Sequence, residues 1–188
     1  MEELAAYIRN QIAVTDAELT TILSYFKPLK VKKNELLLSN GDTSQRTFFV
    51  LKGCLRIFFV GDDGQDSTRY FAFENQFATA LMSFITGQPA EECVQAVEES
   101  EILYISHHNF YELLALVPAW EAFYRKYLER AYVTNTKRLM SMYVQDALSK
   151  YRQLLADDPI IVQRLSNRIV ASYLGISQET LSRLKSKR

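Results

Sequence analysis

The sequence predicts an α+β chain: an antiparallel β-roll with flanking helices near the N-terminus, then a long helix, then a helical terminal module. Two patterns carry this. Short β-branched and aromatic runs separated by turn residues recur between Leu29 and Ile105. Outside that stretch the apolar residues follow helical spacing, and the last such stretch holds two short helices joined at a glycine.

In chain order, Leu4, Tyr7, Ile8 and Ile12, then Leu19, Ile22, Leu23 and Phe26, predict two helices, the second starting near Asp16. Pro28 closes them. Strands are predicted at Val31, 36–38, 48–51, 55–60, 67–73 and 102–105. Asn40-Gly41-Asp42, Lys52-Gly53 and Gly61-Asp62-Asp63-Gly64 supply turns. A short helix over 109–116 ends at Pro118. A long helix follows over 119–142, and its apolar band (Trp120, Phe123, Tyr124, Tyr127, Leu128, Ala131, Tyr132) is wider than one core contact requires. One side covers the roll; Trp120, Phe123, Tyr124, Tyr127 and Ala131 are assigned to pairing with a second copy, against the alternative of one thick core helix. A bend is expected near Ser141, then a helix over 143–155 that Asp157-Asp158-Pro159 ends.

The terminal module carries the most specific signal. Ser166 is placed as an N-cap, and Ile169, Val170, Tyr173 and Leu174 form one apolar face. Gly175 suits a left-handed helix end, Ser177 caps a second helix, and Leu181 and Leu184 point inward. Ala171 has the small side chain that a close helix crossing needs. Every position of the helix-turn-helix pattern is filled, which an ordinary helical hairpin would not require.

Bulk properties fit this division. The 188 residues are 48% hydrophobic and 23% charged, enough for one large domain or two modest ones. No stretch reads as a signal peptide or membrane span, so the cytoplasm is expected. Cys54 and Cys93 read as buried thiols, and the adjacent His107 and His108 as surface or helix-start residues; no metal set is seen. Net charge is zero, yet residues 159–188 hold six basic residues against one acid, Glu179. A basic end on an acidic body suits contact with phosphates. No nucleophile–base pair or phosphate-cradling glycine loop is present, so an enzyme is not expected.

N-terminal helices, a roll with Lys52-Gly53 between strands, a long helix and a terminal helix-turn-helix resemble the cyclic-AMP receptor/fumarate–nitrate regulator (Crp/Fnr) family over nearly the whole chain. The strongest local matches are 49–53 (Phe-Val-Leu-Lys-Gly) and 177–183 (Ser-Gln-Glu-Thr-Leu-Ser-Arg). The resemblance implies a cyclic-nucleotide-binding-like jelly roll over 1–118, a dimerisation helix over 119–142 and a DNA-binding domain over 143–188. It also implies a homodimeric transcription regulator whose partners are double-stranded DNA with a roughly palindromic site, a second copy and RNA polymerase. Gln178, Glu179, Ser182 and Arg183 are the expected base contacts: Arg183 suits guanine O6 and N7, Glu179 suits cytosine N4 or holds Arg183, and Gln178 suits adenine where the family often has Arg. Arg168, Lys185, Lys187 and Arg188 suit phosphates. Family members usually continue into a β-hairpin wing or short helix; this sequence stops at Arg188, by truncation or because the branch dispenses with the wing, so more recognition is expected from 178–183.

In the family's cyclic-AMP binders a Gly-Glu-Leu and an Arg-Ser/Thr-Ala hold the ribose and phosphate. Alignment places Thr79-Ala80 and Ala90-Glu91-Glu92 there, so both polar anchors become alanine. From Glu74 to Glu101 there are acids and no Lys or Arg. A phosphate buried there would lose charge-assisted bonds worth roughly 1.5–3 kcal/mol each. Cyclic AMP is therefore not expected to bind, and no cofactor is assigned. Thr79, Ser83, Phe84 and Gln88 are candidates for a modified pocket for a neutral or apolar effector; a filled roll is the alternative. For function, the alternative is a ligand- or protein-binding module of the same fold without specific DNA readout.

Overall fold

The structure is a computed structural model that describes residues 1–186. Two helices open the chain, α1 (Glu2–Gln11) and α2 (Asp16–Ser24). Thr15 and Glu18 cap α2 reciprocally, each side chain accepting from the other residue's backbone amide. Eight strands follow: β1 (Lys27–Val31), β2 (Leu36–Leu38), β3 (Arg46–Lys52), β4 (Leu55–Val60), β5 (Asp66–Ala72), β6 (Phe77–Ala78), β7 (Glu92–Ala96) and β8 (Ser100–Ser106), with α3 (Leu81–Thr86) between β6 and β7. They form two four-stranded antiparallel sheets, ordered β1-β8-β3-β6 and β2-β7-β4-β5. This is the predicted jelly roll within an α+β chain. Pro28 lies in β1, an edge strand whose free side needs no amide donor.

Helix α4 (His107–Leu116) leads into α5 (Pro118–Val144), with Pro118 at its first turn. The break expected near Ser141 falls later, at Gln145, whose backbone is extended. The helix runs on to Val144, and Asp146 caps α6 (Ala147–Asp157) by accepting from Ser149 N at 2.8 Å. Three helices complete the chain: α7 (Pro159–Arg164), α8 (Asn167–Leu174) and α9 (Gln178–Ser186).

Three cores organise the molecule. The roll interior is aliphatic, around Val50, Leu55, Ile57 and Ile102. A second cluster sits between the roll's outer side, α1, α4 and α5; it holds Trp120 and Phe123, stacked at 4.8 Å. This corrects the expected pairing surface. Trp120 and Phe123 are buried in the protomer's own core, and Tyr124 and Tyr127 pack against the same cluster. Ala131 is half-buried. Large apolar side chains are needed there to seal the roll to its helices, and the exposed ones begin a turn later, at Tyr132. The third core joins Cys54, Phe71, Phe73 and Val97 of the roll to the inner faces of α6–α9, so the terminal module and the roll share one apolar interior.

Candidate nucleic-acid interface

Helices α8 and α9 cross at a tight corner. Gly175 ends α8 in the left-handed region (φ 66°), and Ile176 N donates back to Ala171 O at 3.1 Å. Ser177 Oγ accepts from Thr180 N at 3.2 Å, which starts α9. Ser166 stands at the α8 N-cap position with extended backbone, but its side chain makes no capping bond. Val170, Ala171, Leu174 and Leu181 are buried at the crossing.

With Leu181 turned inward, Gln178, Glu179, Ser182 and Arg183 are all exposed on α9, on the face expected to meet bases. Arg183 donates to Thr180 Oγ1 at 3.2 Å. Glu179 is held below the usual carboxylate range by its own backbone amide and by Ser177, so it is an acceptor at neutral pH.

The cations divide into two groups. Arg168 is exposed and lies 3.8 Å from Asp66. Lys185 Nζ bonds Asn167 Oδ1. Both keep a charged end at the surface beside α9. Lys187 and Arg188 lie outside the described residues. Arg164 is different: it donates to both Glu74 oxygens at 2.8 and 2.6 Å, and also to Glu98. The Arg164 bonds, followed by an amide bond from Gly53 N at 2.8 Å, draw Glu74 down to about 2. Gly53 has φ +105°, and any Cβ there would come 2.8 Å from Ser100 Cα, so the Lys52-Gly53 turn admits only glycine. Sequence reasoning counted Arg164 among the basic residues of the terminal module and missed α7, which aims it at the roll. The Asp158-Pro159 helix start was the available signal.

More bonds seat α8 on β5. Thr68 N donates to Ser172 Oγ at 2.9 Å, and the two hydroxyls lie 2.7 Å apart. Arg138 of α5 donates to Thr68 O at 2.9 Å and to Tyr173 O, and lies over the Tyr173 ring at 3.8 Å. Beside this seat a wedge of about 510 Å³ separates α7 and α8 from Arg56, Phe58 and Asp66 of the roll.

The four effector candidates form a packed corner. Thr79, Ser83 and Phe84 are buried. Thr79 bonds the Thr47 hydroxyl, Ser83 accepts from Ser44 N at 2.9 Å and donates to Gln88 O, and Phe84 meets His107 and Phe110 edge-to-face and stacks with Tyr111. Gln88 is exposed. A void lined by Thr47, Phe77 and Tyr127 measures about 10 Å³, the size of one water. The acidic 74–101 segment also has a cation nearby that the segment itself does not contain: Arg69 on β5 pairs with Glu92. Cys54 and Cys93 are both free and buried, as expected. Among the described residues no cluster suits a metal, and no helix is long and apolar enough to cross a membrane.

The chain thus joins a two-sheet roll, through one long helix, to a helix-turn-helix. Residues 28–116 match the cyclic nucleotide-binding domain family. The chain is 19% identical over 180 residues to the cAMP-activated global transcriptional regulator CRP of Salmonella typhimurium, covering 90% of this chain and 86% of that one. Its fold is shared with FixK2 from Bradyrhizobium japonicum (13% identical, 86% and 83% covered, TM-score 0.76). It is also shared with the catabolite activator protein of Thermus thermophilus (21%, 93% and 84%, TM-score 0.61). The c-di-GMP responsive regulator CLP of Xanthomonas campestris is a third such neighbour (17%, 92% and 91%, TM-score 0.73). Together these findings place the roll with the cyclic nucleotide-binding domain and the whole chain beside transcription regulators in fold.

Proposed function

We propose that the chain is a sequence-specific DNA-binding transcription regulator that acts as a homodimer in the cytoplasm, without control by cyclic AMP. The observation that carries it is the α9 face: Gln178, Glu179, Ser182 and Arg183 lie together, exposed, on a helix anchored from behind by Leu181. An α-helix fits the major groove, where these side chains can read bases, with Arg168 and Lys185 on the flanking phosphates. Lys187 and Arg188 extend the phosphate contact in this proposal.

The pairing surface is reassigned to the later turns of α5. Tyr132, Val133, Leu139, Met140, Tyr143 and Val144 are exposed apolar side chains there, Tyr143 at 82% and Val144 at 83%. Such a patch on a soluble chain marks an association surface. A twofold pair puts two α9 helices on one DNA, and a site of two half-sites one helical turn apart follows. The roll over 1–118 is then the sensor domain, α5 the dimerisation helix and 143–188 the reading domain. Cyclic AMP is disfavoured because both polar anchors are alanine and Arg69 is already paired to Glu92. RNA polymerase is the remaining partner of a regulator of this kind.

Selection of sites from random duplex DNA by the purified chain, with and without cyclic AMP, tests the proposal. A palindromic consensus, unchanged by the nucleotide and bound with an affinity that falls with salt at about 0.9 log unit per phosphate contacted, is expected. Equal binding of selected and random DNA would favour a module without specific readout. Sedimentation of Tyr143→Glu as a monomer beside a dimeric wild type would support the α5 surface.

A further inference from the structure

A line of polar bonds runs from inside the roll to the back of the reading helices. It starts at Glu92, the first residue of β7, whose side chain is only 10% exposed. Arg69 on β5 donates to it through Nε and, through Nη1, to Asn135 Oδ1 of α5 at 2.9 Å. One turn along α5, Arg138 donates to Thr68 O of β5 and to Tyr173 O, next to the α8 C-terminus. The Thr68–Ser172 bonds run alongside. Asn135 and Arg138 are three residues apart and therefore share one face of the helix.

We propose that Glu92, Arg69, Asn135 and Arg138 form a built-in strap that fixes the DNA-reading helices against the roll with no bound effector. The proposal rests on the DNA-binding reading above and adds what holds that reader in place. The chemistry supports a permanent tie. Arg69 is a largely buried cation whose bonds point to an acid of one strand and an amide of α5, so the Glu92 carboxylate takes the position beside Arg69 that an anionic ligand would need. Burying such a charge without its partner is costly, which keeps the pair closed. Arg138 is also largely buried, with its ordinarily very high affinity for a proton lowered by that burial, and it is held by two carbonyls. Each carbonyl belongs to a different element, one in the roll and one in the reading module. The strap therefore joins three parts of the chain, with Arg138 lying 70 residues from Thr68 and 35 from Tyr173.

The test compares wild type with Asn135→Ala and Arg69→Gln. Asn135 is exposed, so its truncation leaves the cores untouched. Binding is read on the duplex that wild type selects, and hydrogen exchange is read over 167–174. Asn135→Ala is expected to bind that duplex about tenfold more weakly, the loss of one bond to a charged group, and Arg69→Gln, which loses two, at least as weakly, both exchanging faster in α8. Cyclic AMP and inorganic phosphate should leave wild-type affinity unchanged. If Asn135→Ala matches wild type in α8 exchange, or if either additive raises wild-type DNA affinity, the strap is wrong. If wild type selects no DNA but α8 exchange rises in Asn135→Ala, the strap stands and the DNA-binding reading fails. Should Arg69→Gln fail to fold, Asn135→Ala and Arg138→Gln carry the comparison.

Discussion

Helices α8 and α9 are neighbours in sequence and similar in length, but they face different surfaces. Groups of α8 are engaged by the roll and by α5: Ser172 with Thr68 and the Tyr173 ring 5.1 Å from Phe71 on the roll, and the Tyr173 carbonyl with Arg138 of α5. Those of α9, among the described residues, bond within their own turn or back to Asn167, and its outer face is exposed. The arginines divide the same way. Arg164 is closed into a two-carboxylate clamp, whereas Arg183 is free to reach outward. One helix is the mount and the other the probe. In the proposed reading, a basic residue of this module is a DNA contact only if its charged end stays exposed, as in Arg168 and Arg183 and not in Arg164.

The largest expected effect comes from breaking what the two helices share. Leu181 is fully buried in the core common to both helices and the roll, and Leu181→Ala should cost about 2–5 kcal/mol in urea unfolding. Because that core is continuous, the loss should appear as one shifted transition; an early separate step would show that the reader folds apart from the roll. Arg183→Ala probes the free side. It should cost roughly 1–3 kcal/mol of specific DNA affinity and relax preference at one base pair in each half-site, with no change in unfolding midpoint. Arg164→Gln probes the mount and should act on stability, lowering overall DNA affinity only through it. A loss of about 1–2 kcal/mol in stability is expected, limited by partial exposure and shrinking at high salt, with base preference retained. The smallest effect is in acid. Glu74 has its carboxyl lowered from the ordinary 4.5 to about 2, so its contribution is complete above pH 4.5 and lost as pH falls toward 2. Glu74→Gln should flatten the wild type's fall in urea midpoint across that window, and an unchanged slope would mean the clamp does not hold the carboxylate in solution.

Much of this fold was legible because the signals are local. The β-branched and aromatic runs at 48–51 and 55–60, the glycine turns and the spacing around Gly175 each depend on a few adjacent residues, and all appear where expected. The exposed face of α9 followed from knowing that Leu181 points inward. What could not be read depended on contacts distant in sequence. Trp120 looked available for pairing because helical periodicity shows that a face is apolar without showing what covers it; α1, α2 and the roll cover it. Strands β6 and β7 and helix α3 were missed because they are short or carry charge, and Glu92 at the start of β7 is tolerable there only because Arg69 meets it from β5. Arg164 was counted with the free cations for the same reason, since its partners lie 66 and 90 residues away.

Gly53 has a consequence for mutant screens. Its turn holds none of the candidate DNA or effector residues, yet its amide helps hold Glu74, which holds Arg164 and so ties α7, just ahead of α8, to the roll. A search for variants that lose DNA binding should recover substitutions at this position in the middle of the roll. Their phenotype would mimic a failure to sense a signal, although the defect would be a displaced reading head.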